Sequence, residues 1–138
     1  MAFSTKHFAG ITKYSDLADY RVATVIGRKS VEKNLALVMD NAIRVENETL
    51  AFHMLKVARV DFIVLDEFSG IHYANRAGIQ DLHIAELEKH AFHLFVHVSN
   101  RETLATLSKA LTEMHADGTV QNIIKDVLQR DGAHKKPY

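Results

Sequence analysis

Several residue types are missing from this chain or rare in it. It has no cysteine and no tryptophan, and it has one proline and six glycines among 138 residues. Without cysteine the chain forms no disulfide and offers no thiolate ligand to zinc. No linker rich in glycine, proline or serine divides the sequence, and it contains no internal repeat. A single domain is therefore the simplest expectation.

The chain also lacks an excess of charge of either sign, since it has 17 basic and 17 acidic residues. Proteins that hold nucleic acid through bulk electrostatics carry a basic surplus that neutralises phosphates, so a nucleic-acid partner is not expected. No stretch approaches the roughly 20 apolar residues of a membrane span, so membrane insertion is not expected either. The first eight residues lack the apolar core of a signal peptide. We therefore expect the chain as given to be a mature form, an intracellular protein or an excised fragment.

The residues that are present have the composition of a globular domain, with 47% hydrophobic and 25% charged side chains. β-Branched apolar runs predict strands at residues 21–26, 42–45, 62–65, 82–85 and 92–98. Amphipathic stretches predict helices at residues 30–39, 47–57, 67–77, 100–117 and 119–128. This alternation predicts an α/β fold: a mainly parallel mixed sheet of about five strands, with helices on both faces.

The central strand of this prediction is Phe62–Leu65, a run of four apolar residues that Asp66 and Glu67 follow at once. Such a run is typical of a strand buried on both faces, and ligands of open α/β sheets bind at the carboxyl ends of such strands. Asp66 could pair with a ligand ammonium or act as an acid or base, and it could equally cap the next helix. Glu67 is more simply explained by the dipole of that helix.

A second candidate site is the turn Gly27-Arg28-Lys29-Ser30, between a predicted strand and a predicted helix. Backbone N–H groups at a helix N-terminus attract anions, and glycine lets the backbone approach a ligand closely. Arg28 and Lys29 would add positive charge, and Ser30 is a good N-cap. The same four residues also fit an ordinary solvated turn, and they do not form a Walker loop.

Histidine is abundant, but its spacing does not indicate a metal site. His93 and His97 share one face of a predicted strand, yet they lie roughly 13 Å apart along it, too far to share one ion. His90 lies nearby, and His53 and His72 lie on separate predicted helices. We therefore expect no metal and no cofactor.

Five segments between about residues 15 and 130 resemble the motifs of one known protein family, in the same order. Asp16–Val25 is similar to the segment DLKGKRVGVV, and Gly27–Ser30 stands at a Gly-Thr/Ser turn. The remaining three segments are Leu55–Asp66, similar to L-x-x-GRVDAVVxD; Phe92–Ser99, similar to a strand ending in AVRK; and Leu104–Ile124, similar to closing helices around DGT. Together they resemble the extracellular solute-binding proteins of polar amino-acid ABC importers, the type II periplasmic receptors.

The resemblance implies a non-catalytic, periplasmic binding protein that works with an ABC permease. It implies that Asp66 binds the α-ammonium of an amino-acid-like solute. It also implies that the turn formed by Gly27, Arg28, Lys29 and Ser30 meets the α-carboxylate. Arg28 departs from the family pattern, which has a small hydroxyl residue there, and this departure leaves the type of ligand open.

Only the second lobe and the C-terminal helices of such a receptor find a match in this chain. The resemblance therefore implies that the opposite wall of the cleft comes from a missing first lobe or from a second copy of the chain, with or without an exchange of helices. The expected parts are an N-terminal segment that is a hinge remnant or arm (1–14), a ligand-binding α/β lobe (15–99), a helical pair packed on the lobe or a partner (100–130) and a flexible tail (131–138).

Two other functions stay open at this stage. A degenerate lobe could serve only as an oligomerisation or interaction module. A cyclohexadienyl-dehydratase-like enzyme could use the same scaffold, with Asp66 or Glu67 as the acid, although the sequence offers no obvious second catalytic group.

Overall fold

A computed structural model of the chain describes residues 1–89 and 93–133, with side chains as far as residue 127. These residues fall into two compact units, Met1–Lys89 and residues 93–133. The first unit holds a β-sheet and three α-helices, and the second holds two longer α-helices. Among the residues described, no helix combines the length and apolarity needed to cross a lipid bilayer. The domain boundaries expected from the sequence stay predictions.

Five short strands form one sheet in the first unit, in the order β3-β2-β4-β1-β5. They span Ala2–Ser4 (β1), Val22–Val25 (β2), Ile43–Val45 (β3), Phe62–Val64 (β4) and His83–Ala85 (β5). β2 runs parallel to β3 and to β4, whereas β1 is antiparallel to β4 and to β5. Four of the five strands therefore point the same way. This confirms the predicted α/β class with a mainly parallel mixed sheet.

The centre of the sheet is buried on both faces because its strands are continuously apolar. All residues of β2 and β4 are buried. Ile63 belongs to a buried cluster on one face of the sheet, together with Phe3, Phe52 and Leu55. Phe62 belongs to a second buried cluster on the opposite face. This two-sided burial explains why the run at 62–65 shows no alternation of polar and apolar residues.

The sequence does not predict β1, because three residues are too few to show the alternation of side chains that marks a strand. Ala2, Phe3 and Ser4 are nevertheless fully buried between β4 and β5. Phe3 sits edge-on to Phe52, with their ring centroids 6.1 Å apart. The first residues of the chain therefore belong to the core of the sheet.

Three helices connect the parallel strands: α1 (Lys29–Ala36), α2 (Glu48–Lys56) and α3 (Glu67–Arg76). Asn47 caps α2 as predicted, because its side chain accepts from the N–H of Leu50 at 2.9 Å. Gly78 follows α3 at a φ of +68°, the left-handed conformation that favours glycine after a helix.

Ser30 is not an N-cap, which corrects the sequence-based prediction. The helix begins at Lys29, so Ser30 lies inside its first turn, and Arg28 occupies the cap position without a side-chain cap bond. Gly27 allows this early start because it adopts a φ of +92°. Glu32 accepts from the N–H of Gly27 at 3.2 Å, which ties the residue before the helix to its first turn but leaves the N–H groups of that turn uncapped.

The second unit differs from its prediction at its start. Residues 93–97 are not a strand, whereas Phe92 lies outside the described residues. Leu94 and Phe95 are largely exposed, and among the residues described no strand pairs with this segment to bury them. A 3₁₀ helix, Val98–Thr103, follows, so Asn100 does not cap α4, which runs from Leu104 to Ala116.

The two C-terminal helices that the sequence predicts are present. The chain turns at Gly118, whose φ is +81°, and α5 spans Thr119–Ala133. The Thr119 N–H donates to Asp117 Oδ1 at 2.8 Å, which secures the turn between α4 and α5. Residues 131–133, which the sequence assigns to the tail, belong to α5 instead, and residues 134–138 lie outside the described residues.

Candidate functional site

Three chain segments meet at one edge of the sheet because three parallel strands end there. β2 leads to Arg28, β3 leads to Glu48, and β4 leads to Asp66. The register places Val25 beside Val45 and Thr24 beside Val64, so these strand ends are level with one another. The N-termini of α1, α2 and α3 therefore lie at the edge where ligands of open α/β sheets bind.

The Arg28 guanidinium joins these three segments. Its Nη1 lies 3.1 Å from Asp66 Oδ2, and its Nη2 lies 2.7 Å from Glu48 Oε1. Nη2 also donates to Ser69 Oγ at 3.2 Å. Two predicted site residues, Arg28 and Asp66, are thus in direct contact.

Asp66 has two roles at this edge. Its Oδ1 accepts from the N–H of Ser69 at 2.9 Å, so it is the N-cap of α3. Its Oδ2 is buried and makes no hydrogen bond of good geometry, although the ion pair to Arg28 reaches the same atom. At 3.1 Å the opposite charges attract each other, so Oδ2 is paired electrostatically with the Arg28 guanidinium.

Glu48 and Ser69 were not identified from the sequence. An acidic residue in the first turn of a helix is common, because it complements the helix dipole, so Glu48 carried no distinctive signal. Its place after β3 is informative only because the structure puts β3 beside β2. The Glu48 side chain is only 17% exposed, which marks it as part of the site.

The rest of the predicted turn is arranged differently from expectation. The Gly27 N–H is taken by Glu32, and the Arg28 N–H donates to the Val25 carbonyl at 3.3 Å. The Lys29 side chain is 88% exposed, and its Nζ lies 3.8 Å from Glu32 Oε2. Lys29 and Ser30 therefore bring no side chain to Asp66.

Backbone donors remain at the start of α1. Within the described part of the chain, the N–H groups of Lys29, Ser30 and Val31 donate to no acceptor. Such orphan N–H groups, together with the helix dipole, favour a negatively charged group.

Two cavities lie elsewhere in the first unit. One of about 220 Å³ is lined by Thr24, Glu32 and Arg44 among others. One of about 580 Å³ lies along β1 and β5, where Lys6 and His83 contribute to its wall. Neither cavity is lined by Arg28 or by the residues that contact its guanidinium, Glu48, Asp66 and Ser69.

The histidine candidates do not form a metal site in the part of the chain described. His97 Nδ1 lies 2.8 Å from Ser99 Oγ, and His93 lies against Phe95. His90 lies outside the described residues. No group of three or more metal-ligating side chains is present among residues 1–89 and 93–127.

Comparison with known proteins finds similarity at the level of structure. No protein-family model matches the chain, and no curated protein does. An ancestral arginine-binding protein bound to arginine matches with a TM-score of 0.59 and 25% identity, over 94% of this chain and 57% of that protein. The chain has the type II periplasmic-binding fold. The resemblance seen in its sequence motifs is thereby confirmed.

Other solved structures share this periplasmic-binding fold. The amino acid ABC transporter substrate-binding protein AbpA from Streptococcus pneumoniae, bound to L-arginine, has a TM-score of 0.59 and 19% identity over 94% of this chain and 56% of its own. The periplasmic binding protein XoxJ from Methylobacterium extorquens has a TM-score of 0.58 and 17% identity over 95% and 65%. This chain therefore spans 56% to 65% of these proteins' lengths.

Proposed function

We propose that this chain is a solute-binding lobe of an ABC-transporter substrate-binding protein, that its ligand is amino-acid-like, and that it is not an enzyme. The observation that carries the proposal is the convergence of Arg28 and Asp66 at the carboxyl ends of two adjacent parallel strands. Solved proteins of the same fold that bind arginine or glutamine support it.

The two halves of an amino-acid ligand have distinct places in this proposal. Asp66 is the group that receives the α-ammonium, because it is the acidic side chain at the end of the central strand. The α-carboxylate lies at the start of α1, in the turn of Gly27, Arg28, Lys29 and Ser30. The orphan N–H groups of Lys29 and Ser30 support this placement, since they have no acceptor among the described residues.

The proposal includes partners for the open side of the site. A further lobe or a second copy of the chain supplies the facing wall, and an ABC permease in the bacterial envelope receives the solute from the periplasm. Exposed leucines on α4 are suited to an interface with such a lobe or copy: Leu104, Leu107 and Leu111. Light scattering at micromolar concentration tests the self-association form, which predicts a species heavier than the monomer.

A second candidate is an interaction module that binds no solute. The contact between Arg28 and Asp66 favours it, because the carboxylate expected to bind the ligand already has a cation beside it. Under this alternative, changes at Asp66 alter only stability.

A titration with the common amino acids that is monitored by NMR detects millimolar binding. It therefore distinguishes a solute-binding lobe from an interaction module that binds no solute. The proposal predicts saturable shifts of the Lys29, Ser30 and Ser69 amide signals with at least one amino acid. Asp66→Asn keeps a residue that caps helices well and removes the charge. It should weaken binding roughly tenfold or more, the scale for loss of one charged hydrogen bond.

Asp61→Asn is the matched control, because Asp61 also pairs with an arginine but lies at the start of β4, away from the site. It should leave amino-acid binding unchanged. If no amino acid moves these signals, or if Asp66→Asn and Asp61→Asn behave alike, the interaction module is the better account.

A further inference from the structure

The donors of Arg28 are largely occupied within the chain. A guanidinium has five N–H groups, and two of its edges can donate a parallel pair of bonds to a carboxylate. Both edges include Nη2. In this structure Nη2 donates to Glu48 Oε1 at 2.7 Å and to Ser69 Oγ at 3.2 Å. Neither edge is therefore free to bind the carboxylate of a solute in the two-bond geometry.

The acceptors of Asp66 are occupied as well. Oδ1 holds the N–H of Ser69 as the cap of α3, and Oδ2 is buried against the Arg28 guanidinium. A ligand ammonium that approached Asp66 would find the Arg28 guanidinium in the position that the ammonium has to occupy. The contact links residues 38 positions apart in sequence and is therefore a product of the fold.

We propose that Arg28 is a built-in occupant of the ammonium position and decides which solutes bind. A solute reaches Asp66 only by displacing the guanidinium, and the vacated position suits a guanidinium or a primary ammonium. This inference rests on the proposed function, since it assigns Asp66 to the solute. Glu48 and Asp66 contribute two negative charges and Arg28 one positive charge, so displacement leaves a position that favours a cation.

Glu48 is the positioning residue in this arrangement. It lies closer to the guanidinium than Asp66 does, at 2.7 Å against 3.1 Å, and its side chain is the more buried of the two. Glu48 can therefore keep hold of Nη2 while Nη1 leaves Asp66. A solute would displace one of the two ion pairs and not both.

The test replaces the tethered guanidinium with a free one. In Arg28→Ala the position is empty, and methylguanidinium should fill it at millimolar concentration with a saturable shift of the Ser69 amide signal. In the unchanged chain the same titration should give an affinity roughly tenfold weaker or none, because the position is taken. Arg28→Gln keeps part of the side-chain stem without the charge, and it serves if the alanine variant does not fold.

Two matched variants make the result specific. Arg28→Ala combined with Glu48→Gln should lose most of the methylguanidinium binding, since one of its two carboxylates is gone. Arg21→Ala removes the arginine side chain, 55% exposed, that pairs with Asp61, and should leave the Ser69 signal unmoved. Equal binding by the unchanged chain and by the Arg28 variants would overturn the proposal, as would no binding by either variant.

Failure of this inference can be told apart from failure of the proposed function. Methylguanidinium carries no carboxylate, so its binding does not depend on amino-acid recognition. If it binds the Arg28 variants while no amino acid binds any form, Arg28 still fills a cation position beside Asp66, but the solute-binding function fails and with it the selection of solutes by Arg28. If amino acids bind the unchanged chain as tightly as Arg28→Ala, the solute-binding function stands and the occupant role fails.

Discussion

Arg21 and Asp61 join the starts of the two central parallel strands. Arg21 Nε and Nη2 lie 3.0 Å and 2.7 Å from the Asp61 carboxylate, and the Arg21 N–H donates to it as well. The side-chain hydrogen bond from Arg21 is the main cause that lowers the pKa of Asp61 below its ordinary value of 3.8. The pair thus stabilises the folded state only while Asp61 is ionised.

The depressed pKa predicts a definite pH dependence. A carboxylate whose pKa is lower in the folded state contributes stability that is fully present above about pH 4, its unfolded pKa, and is lost as the pH falls through the folded pKa. Urea unfolding of the unchanged chain and of Asp61→Asn should therefore differ most near neutral pH and converge in acid. A difference that stays constant from pH 7 to pH 2 would contradict this assignment.

Helix α3 lies against the Phe3 ring of the sheet at Gly70. A Cβ added there would lie 1.9 Å from Phe3 Cζ, a ring atom that is fully buried. Gly70→Ala should lower the free energy of unfolding by roughly 1–3 kcal/mol through overpacking, or more if the ring cannot move. The measurement is the urea midpoint.

A second substitution checks that the contact with Phe3 is the cause. Phe3→Leu makes room beside Gly70, so the double variant should lose less stability than the sum of the two single variants. If the two single losses of stability simply add in the double variant, the alanine at position 70 destabilises the protein by a cause other than its contact with Phe3.

At the scale of the element, α2 depends on the Asn47 side chain for its first turn. The bond from the Leu50 N–H to Asn47 Oδ1 is 2.9 Å long. Asn47→Ala should lower the free energy of unfolding by about 1 kcal/mol, the usual cost of a lost N-cap. Asn47→Asp can keep the bond and should stay near the unchanged chain, whereas equal losses in both variants would argue against capping.

The elements that the sequence predicted well are those whose local signals agree with their surroundings. Phe62–Val64 is a buried apolar strand, and Asn47 and Gly78 mark the ends of helices in their usual roles. The elements that failed depend on neighbours. β1 exists because β4 and β5 flank it, and residues 93–97 have strand-like composition but no strand beside them in the described part of the chain.

The candidate site divides in the same way. That Arg28 and Asp66 would meet follows from two parallel strands that end at one edge, which the sequence pattern could indicate. The contact of Arg28 with Glu48 depends on the placement of β3 next to β2, and no sequence pattern carried that order. Ser30 was assigned as a cap because serine caps often, whereas Gly27 and Glu32 together start the helix earlier.

At the scale of the whole molecule, the fold is shown by structural similarity and the function is a proposal. The chain covers 57% of the ancestral arginine-binding protein it resembles. The motifs predicted this relationship in sequence order, although overall identity is only 25%. Its site carries an arginine in contact with the aspartate that the proposal assigns to the ligand.

The most direct test of the central claim is a crystal structure of the chain with the amino acid that gives the largest NMR shifts. The account predicts the α-ammonium within hydrogen-bonding distance of Asp66 and the α-carboxylate at the N–H groups of Lys29 and Ser30. It also predicts that Arg28 moves away from Asp66. An amino acid bound in another place, with the pair of Arg28 and Asp66 intact, would contradict it.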